Sequence, residues 1–354
     1  MRANSVLLED IHRLRGVAIL FVVATHCYSF FGWSGHPLLE AMAKDLFDDS
    51  TVIFVFISGY LFHHLETTFA YREYLQRKLF NVWLPYLIAA TPAIAYALLR
   101  GTHSFDDPEL HDLPTAAKVL YLLSYGGSTM NYPLWFIPVV TLYYLAAPAL
   151  HALGKASDRQ LLGVLAVLLP LSLLMHRPTY SHGHNLTLAL YFLSAYVMGM
   201  CCSRYREMVQ GFLGKHLIVF LLLIGALYCG HLLLSDHHGK YTTNEPFEHQ
   251  EAGGLIDWIF LQKMLLTLVM WALLRRMPER AGRVLHVLGG FSFTIFFFHI
   301  YVIFLIEWLA HFQTVLVQPA YFVALLVVSV AIPSCIALGF KRALPRWSRS
   351  LVGA

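Results

Sequence analysis

The first apolar run of the chain, HRLRGVAILFVVATHCYSF, carries an arginine and a histidine eleven residues apart, Arg15 and His26. Eleven helical steps of about 100° return to within about 20° of the same face, with a rise of roughly 16 Å. One helix face would therefore hold a cation near its start and an imidazole near the bilayer midplane. Histidine takes and returns a proton near neutral pH. Arginine grips phosphate oxygens with a planar fork. A phosphorylated donor anchored at the arginine, with its reactive end at the histidine, would use both. Arg13, and the pair Arg77 and Lys78 in YREYLQRKLFNVWLPYL, would converge with Arg15 on one anionic ligand.

Polar side chains inside a membrane span cost free energy and are functional candidates by default. Besides Arg15 and His26, these are Lys263, His299 and Glu307. His299, in FSFTIFFFHIYVIFLI, is expected at the depth of His26. Two imidazoles at one depth would flank a single reaction point, with His26 handling the proton and His299 orienting an acceptor or stabilising an oxyanion. Trp135, in NYPLWFIP, or Lys263 would stand on the wall of that site.

The elements that must position these residues follow from composition. Hydrophobic residues make up 58% of the 354 and charged residues 13%, against roughly 45–50% and 25% in soluble domains. A soluble globule, a disordered chain, a collagen, a disulfide scaffold and a nucleic-acid-binding module are all excluded. An all-α, polytopic membrane protein remains. Ten stretches have the apolar character of spans: 14–34, 50–64, 79–99, 133–150, 160–176, 186–202, 216–234, 254–274, 284–308 and 318–340. The second is short, and 116–125 reads as an interfacial or re-entrant helix. Of the 25 Lys and Arg, nineteen fall on the side of the N-terminus, five on the other and one, Lys263, inside a span. The positive-inside rule then sets N-in and C-in. The whole chain, 1–354, reads as one transmembrane domain without a fused soluble domain.

The five cysteines show no metal-ligand spacing and read as small apolar residues. The loops expected on the outer side, 35–49, 100–132 and 235–253, are acidic and rich in His: Asp106, Asp107, Glu109, His111 and Asp112, then Asp236, His237, His238, Glu245, Glu248 and His249. Their irregular spacing reads as solvated surface, and no metal is expected there. His176 and His231 read as interface residues.

Several motifs, in order along almost the whole chain, resemble the membrane-bound acyltransferase-3 family. Arg15-Gly16-Val17-Ala18-Ile19 opens the first span, with ten residues between Arg15 and His26. FVFISGYL, with Gly59, is similar to that family's second span. A basic pair with a following proline, Arg77, Lys78 and Pro85, precedes the third. Leu134-Trp135-Phe136 and a late span from Ser292 to His299 complete the set. Many members carry an acidic residue three before the arginine, where this chain has His12, and Asp10 is out of register.

The resemblance implies an O-acetyltransferase-type enzyme in the plasma (inner) membrane. It would move an acyl group, commonly acetyl, from cytoplasmic acyl-CoA to a hydroxyl of an extracytoplasmic or lipid-linked glycan. Acyl-CoA would be a donor substrate, with no cofactor permanently bound. The chain would act alone or with partner proteins of a surface-polysaccharide pathway. His26 would be the catalytic base or the acyl carrier. A competing reading is a transporter or flippase for a glycan or its lipid-linked precursor, with the buried His, Lys and Glu as a proton relay.

Overall fold

The computed structural model describes residues 8–31, 33, 35–65, 69–100, 112–125, 133–179, 185–243, 246–247, 254–310 and 319–354. Of the acidic and His-rich positions noted above, Asp106, Asp107, Glu109, His111, Glu245, Glu248 and His249 lie outside these residues.

The described chain is almost wholly helical. In lipid, each backbone N–H and C=O must be satisfied within its own segment, and long apolar runs fold as helices for that reason. They are α1 (Glu9–Tyr28), α2 (Pro37–Phe47), α3 (Thr51–His64), α4 (Tyr71–Lys78), α5 (Leu84–Arg100), α6 (Thr115–Tyr125), α7 (Phe136–Leu145), α8 (Ala147–Gly154) and α9 (Asp158–Met175). There follow α10 (Asn185–Arg204), α11 (Arg206–Lys215), α12 (Leu217–Leu234), α13 (Trp258–Arg276), α14 (Glu279–Ala310), α15 (Pro319–Ala343) and α16 (Ser348–Val352). Two short strands, β1 (Arg177–Pro178) and β2 (Thr242–Thr243), pair in parallel.

Each of the ten apolar stretches contains a helix among its described residues. Among the described residues, eight helices are long and apolar enough to cross a membrane, or nine if a bent pair counts as one span. That pair is Pro133–Leu145 and Ala147–Gly154, which meet at 60°. Pro148 sits in the first turn of α8; it lacks an N–H and its ring excludes the carbonyl four residues back. The first helix, with Glu9, Asp10, Arg13 and Arg15 near its start, is not among the eight, and it ends at Tyr28 rather than near 34. The second span differs more. Residues 37–47, read as loop, form α2, which Pro37 starts; it leads into α3 through the turn Asp48–Ser50. Together they give an apolar stretch of 28 residues, Pro37–His64. The segment read as interfacial or re-entrant is the short helix α6.

The core is organised around α1, which packs along α14 and also touches α2, α3, α13 and α15. The other principal pair is α3 against α10. Gly59 makes that pair possible, because a Cβ there would collide with the backbone carbonyl of Tyr196. Gly16 likewise lets α1 lie against the backbone of α14 at Leu285. By contrast no residue of α12 is fully buried. Its Ile218, Val219, Leu222 and Leu233 form an apolar surface suited to lipid.

Candidate active site

A cavity of about 840 Å³ opens at the end of the bundle where α1 begins. Arg15, Arg77 and Lys78 line it. Lys341, from the end of α15, and Arg349, from α16, join them. The Arg15 guanidinium rests 4.8 Å from the centroid of the Phe293 ring. Lys78 Nζ lies 4.5 Å from the ring of Tyr144 and 5.1 Å from that of Tyr74. Lys341 Nζ lies 4.6 Å from Phe291. Aromatic faces attract cations without neutralising them. Among the described residues, none of Arg15, Lys78, Lys341 and Arg349 forms an ion pair with a carboxylate. Arg77, mostly exposed, has a loose contact of 4.0 Å with the Glu73 carboxylate and donates through Nε to the Glu73 carbonyl at 3.3 Å.

Local structure sets this arrangement. Between α4 and α5 the chain widens into one π-helical turn, Leu79–Trp83. Such turns re-aim side chains and recur at functional sites. Asn81 of that turn lines the cavity beside Lys78. Farther in, the wall becomes apolar, with Phe54, Ile57, Val140, Phe136 and Phe296, interrupted by the hydroxyls of Thr51, Ser58 and Ser292. One cavity therefore has a cationic mouth and an apolar inner end.

His26 and His299 stand side by side, with ring centroids 5.3 Å apart. His299 is fully buried, and its Nδ1 lies 2.9 Å from the carbonyl oxygens of both Ile295 and Phe296. A carbonyl only accepts, so Nδ1 carries the proton and Nε2 of the neutral ring holds the lone pair. That Nε2 is buried and has no hydrogen-bond partner among the described residues.

The expectation that both imidazoles line the cavity needs correction. The lining stops at Val22 and Phe296, which precede His26 and His299 by about one helical turn, roughly 5 Å. His26 and His299 themselves are not part of the lining. Trp135 and Lys263 are not on the wall either. Trp135 stacks on Phe192 with the Arg177 guanidinium 5.0 Å from its ring, and its surface is spent on that packing. Lys263 is fully buried, and its Nζ donates to the carbonyl of Asp45 at 2.7 Å. Arg13 is also separate from the cavity. Its guanidinium donates to the carbonyl of Met277 and to Glu9, which fastens α1 to the turn after α13. Asp10, the nearest sequence candidate for a partner of Arg15, instead accepts from Arg206 and from the Trp271 indole. His12 lines the cavity mouth together with Arg15.

Sequence reasoning missed two groups. Lys341 and Arg349 counted only as topological charges, and no short motif marks them. The second group is a buried polar layer at the opposite end of α1. There Tyr28 donates to Asp48, Arg177 pairs with Asp49 at 2.8 Å, and Tyr191 is shared between Asp49 and Asp257. Burial, followed by the nearby Arg177 charge, lowers the pKa of the Lys240 ammonium in this layer. The visible signal was three consecutive polar residues, Asp48, Asp49 and Ser50, set against an apolar run.

The profile of the acyltransferase-3 family, described as an acyltransferase domain, matches residues 8–338. No curated protein and no solved structure matches the chain. The matched segment takes in the cationic mouth as far as Lys341's neighbours on α15, the apolar inner end and the imidazole pair. Nearly the whole chain is thus covered by one family that is defined by acyl transfer, which sets the transporter reading aside: this multi-pass membrane protein belongs to the acyltransferase-3 family and is an acyltransferase.

Proposed function

We propose that this acyltransferase draws an acyl group, acetyl in the simplest case, from acyl-CoA bound on the cytoplasmic side and delivers it to a hydroxyl of an extracytoplasmic or lipid-linked glycan. The enzyme would sit in the plasma (inner) membrane with both chain ends in the cytoplasm. The observation that carries this reading is the cavity. Its mouth gathers cations, four of them without a carboxylate partner among the described residues, and its apolar inner end stops one turn from two imidazoles. Coenzyme A presents a pyrophosphate and a 3′-phosphate, which suit Arg15, Arg77, Lys78, Lys341 and Arg349. The pantetheine arm is long and only mildly polar, and it suits the channel between them and Phe296.

In this reading the acceptor oxygen adds to the thioester carbonyl carbon and the C–S bond breaks. The hydroxyl proton passes to a histidine nitrogen and from there to the departing thiolate. His299 Nε2 holds a free lone pair for that proton, and His26 stands beside it as the second relay or as the group that carries the acyl. A dry chamber protects the thioester from water. Val22 and Phe296 would have to part for the thioester to reach the pair.

The test uses acetyl-CoA labelled in the acetyl group and the full-length enzyme in proteoliposomes. Surface glycans from a deletion strain and its complemented partner are then compared by mass spectrometry. A mass difference of one acyl group supports the reading. Identical glycans, with no consumption of labelled acetyl-CoA, would sink it.

A further inference from the structure

The end of the bundle opposite the cationic cavity brings together Asp45 on α2, His231 in the last turn of α12 and His238 in the loop that follows. Their donor atoms all lie within 4.8 Å of one another. His231 Nδ1 is 2.9 Å and His238 Nδ1 3.1 Å from the same carboxylate oxygen, Asp45 Oδ2. The other oxygen, Oδ1, is taken by the backbone N–H of Gly239 at 2.8 Å. Gly239 adopts φ of 88°, and a Cβ there would strike the Asp48 carboxylate, so glycine is needed for the loop to turn back onto Asp45.

Asp45 is completely buried, and no Lys or Arg pairs with its carboxylate among the described residues. Lys263 bonds to its backbone carbonyl instead. A buried carboxylate without a compensating cation is costly. The two imidazoles that converge on Oδ2 are neutral when they serve as metal ligands through Nδ1, and a cation between them supplies the charge. Ligands about 2.0–2.1 Å from zinc lie about 3.3 Å apart in a tetrahedron, close to the two observed Asp–His separations. The far nitrogen of His231 is already engaged, with Nε2 2.9 Å from the Tyr241 hydroxyl. Metal-ligating histidines are characteristically held in this way by a second contact, which fixes the ring and the tautomer. His238 is partly exposed, at 24% of its side chain, and leaves an open side for a water as fourth ligand.

We propose that Asp45, His231 and His238 form a zinc site that fastens α12 to α2. No residue of helix α12 is fully buried and its apolar side chains are largely exposed, so apolar packing holds its outer end weakly. A metal bridge ties it to the helix whose following turn, Asp48–Ser50, leads into α3. This site is independent of the acyl-transfer reading, and its test does not use activity.

The full-length protein in detergent is stripped with a chelator, dialysed, and titrated with Zn²⁺ against a chromogenic zinc indicator. One tight equivalent per chain is expected. His238→Gln, at a partly exposed position that should not impair folding, is expected to weaken that equivalent at least tenfold, and His231→Gln likewise. His216→Gln, at the other end of α12, should leave it unchanged. Zinc should raise the thermal midpoint of the wild type and not that of His238→Gln. The chain has 19 histidines, so adventitious binding is the competing outcome. The proposal is overturned if the wild type takes up no stoichiometric zinc, or if His238→Gln binds it as tightly as the wild type.

Discussion

His299 holds its Nδ1 proton against the carbonyl oxygens of Ile295 and Phe296 and stands with its ring 5.3 Å from that of His26. The backbone of α14 thereby fixes the tautomer. The nitrogen left with a lone pair, Nε2, is buried without a hydrogen-bond partner among the described residues. The pair joins the two principal helices of the core, so each ring is held by a different rigid element.

His299→Gln keeps a hydrogen-bonding side chain but loses proton chemistry. General acid–base catalysis is worth about 10²–10⁴-fold, and acyl transfer should fall by at least about a hundredfold. His26→Ala should do the same. Both variants should reach the membrane at near wild-type levels. Transfer above a tenth of wild type in either one removes that histidine from the proton path.

Arg15→Ala and Lys78→Ala each remove an unpaired cation from the cavity mouth. Each should weaken binding of acetyl-CoA, measured directly with labelled ligand, by about tenfold, or roughly 1.4 kcal/mol. Arg15→Lys should recover only part of the loss, since a point charge does not reproduce the fork. Wild-type affinity in both alanine variants would mean that these residues only set topology.

Arg13 provides the contrast. It is buried away from the cavity and donates to the carbonyl of Met277 at 2.7 Å. Arg13→Ala should leave donor affinity unchanged and lower stability by about 1.5–3 kcal/mol, the range for hydrogen bonds to a charged group. Thermal unfolding in detergent, run beside the binding assay, reads both. A weakened donor with an unchanged midpoint would reverse the assignment.

Arg177 and Asp49 form a buried pair at 2.8 Å. Arg177→Ala leaves the carboxylate uncompensated and should cost about 3–5 kcal/mol. The double variant Arg177→Met with Asp49→Asn should unfold at a higher temperature than Arg177→Ala, because no lone charge remains. An equal midpoint for the two would show that the pair carries no buried charge.

Gly59→Val puts a branched side chain where the backbone of Tyr196 passes. The α3–α10 contact would have to open, and the folded protein should fail to accumulate, as monitored by fluorescence size-exclusion chromatography. A monodisperse peak of normal height would show that the helices can separate at no cost.

The amino-acid sequence alone determined the class of the molecule. Long apolar runs with few charges admit only helices in lipid, because the solvent offers backbone groups no partner. The eleven-residue step from Arg15 to His26 and the order of the short motifs led to the family, since periodicity and local spacing survive in one dimension. What the sequence left open were relations between segments distant along the chain. Arg13 and Arg15 are two residues apart, yet one braces the turn after α13 and the other lines the cavity, because a helix turns about 200° between them. Lys341 and Arg349 reach the same cavity from the far end of the chain. Trp135 and Lys263 had the residue types of a binding site, but packing set the Arg177 guanidinium over the Trp135 ring and gave the Lys263 ammonium to the carbonyl of Asp45. The depth of His299 was legible from its distance into the span. Its contact with His26 was decided only by how α1 and α14 pack, and that depends on the shapes of side chains across the whole interface.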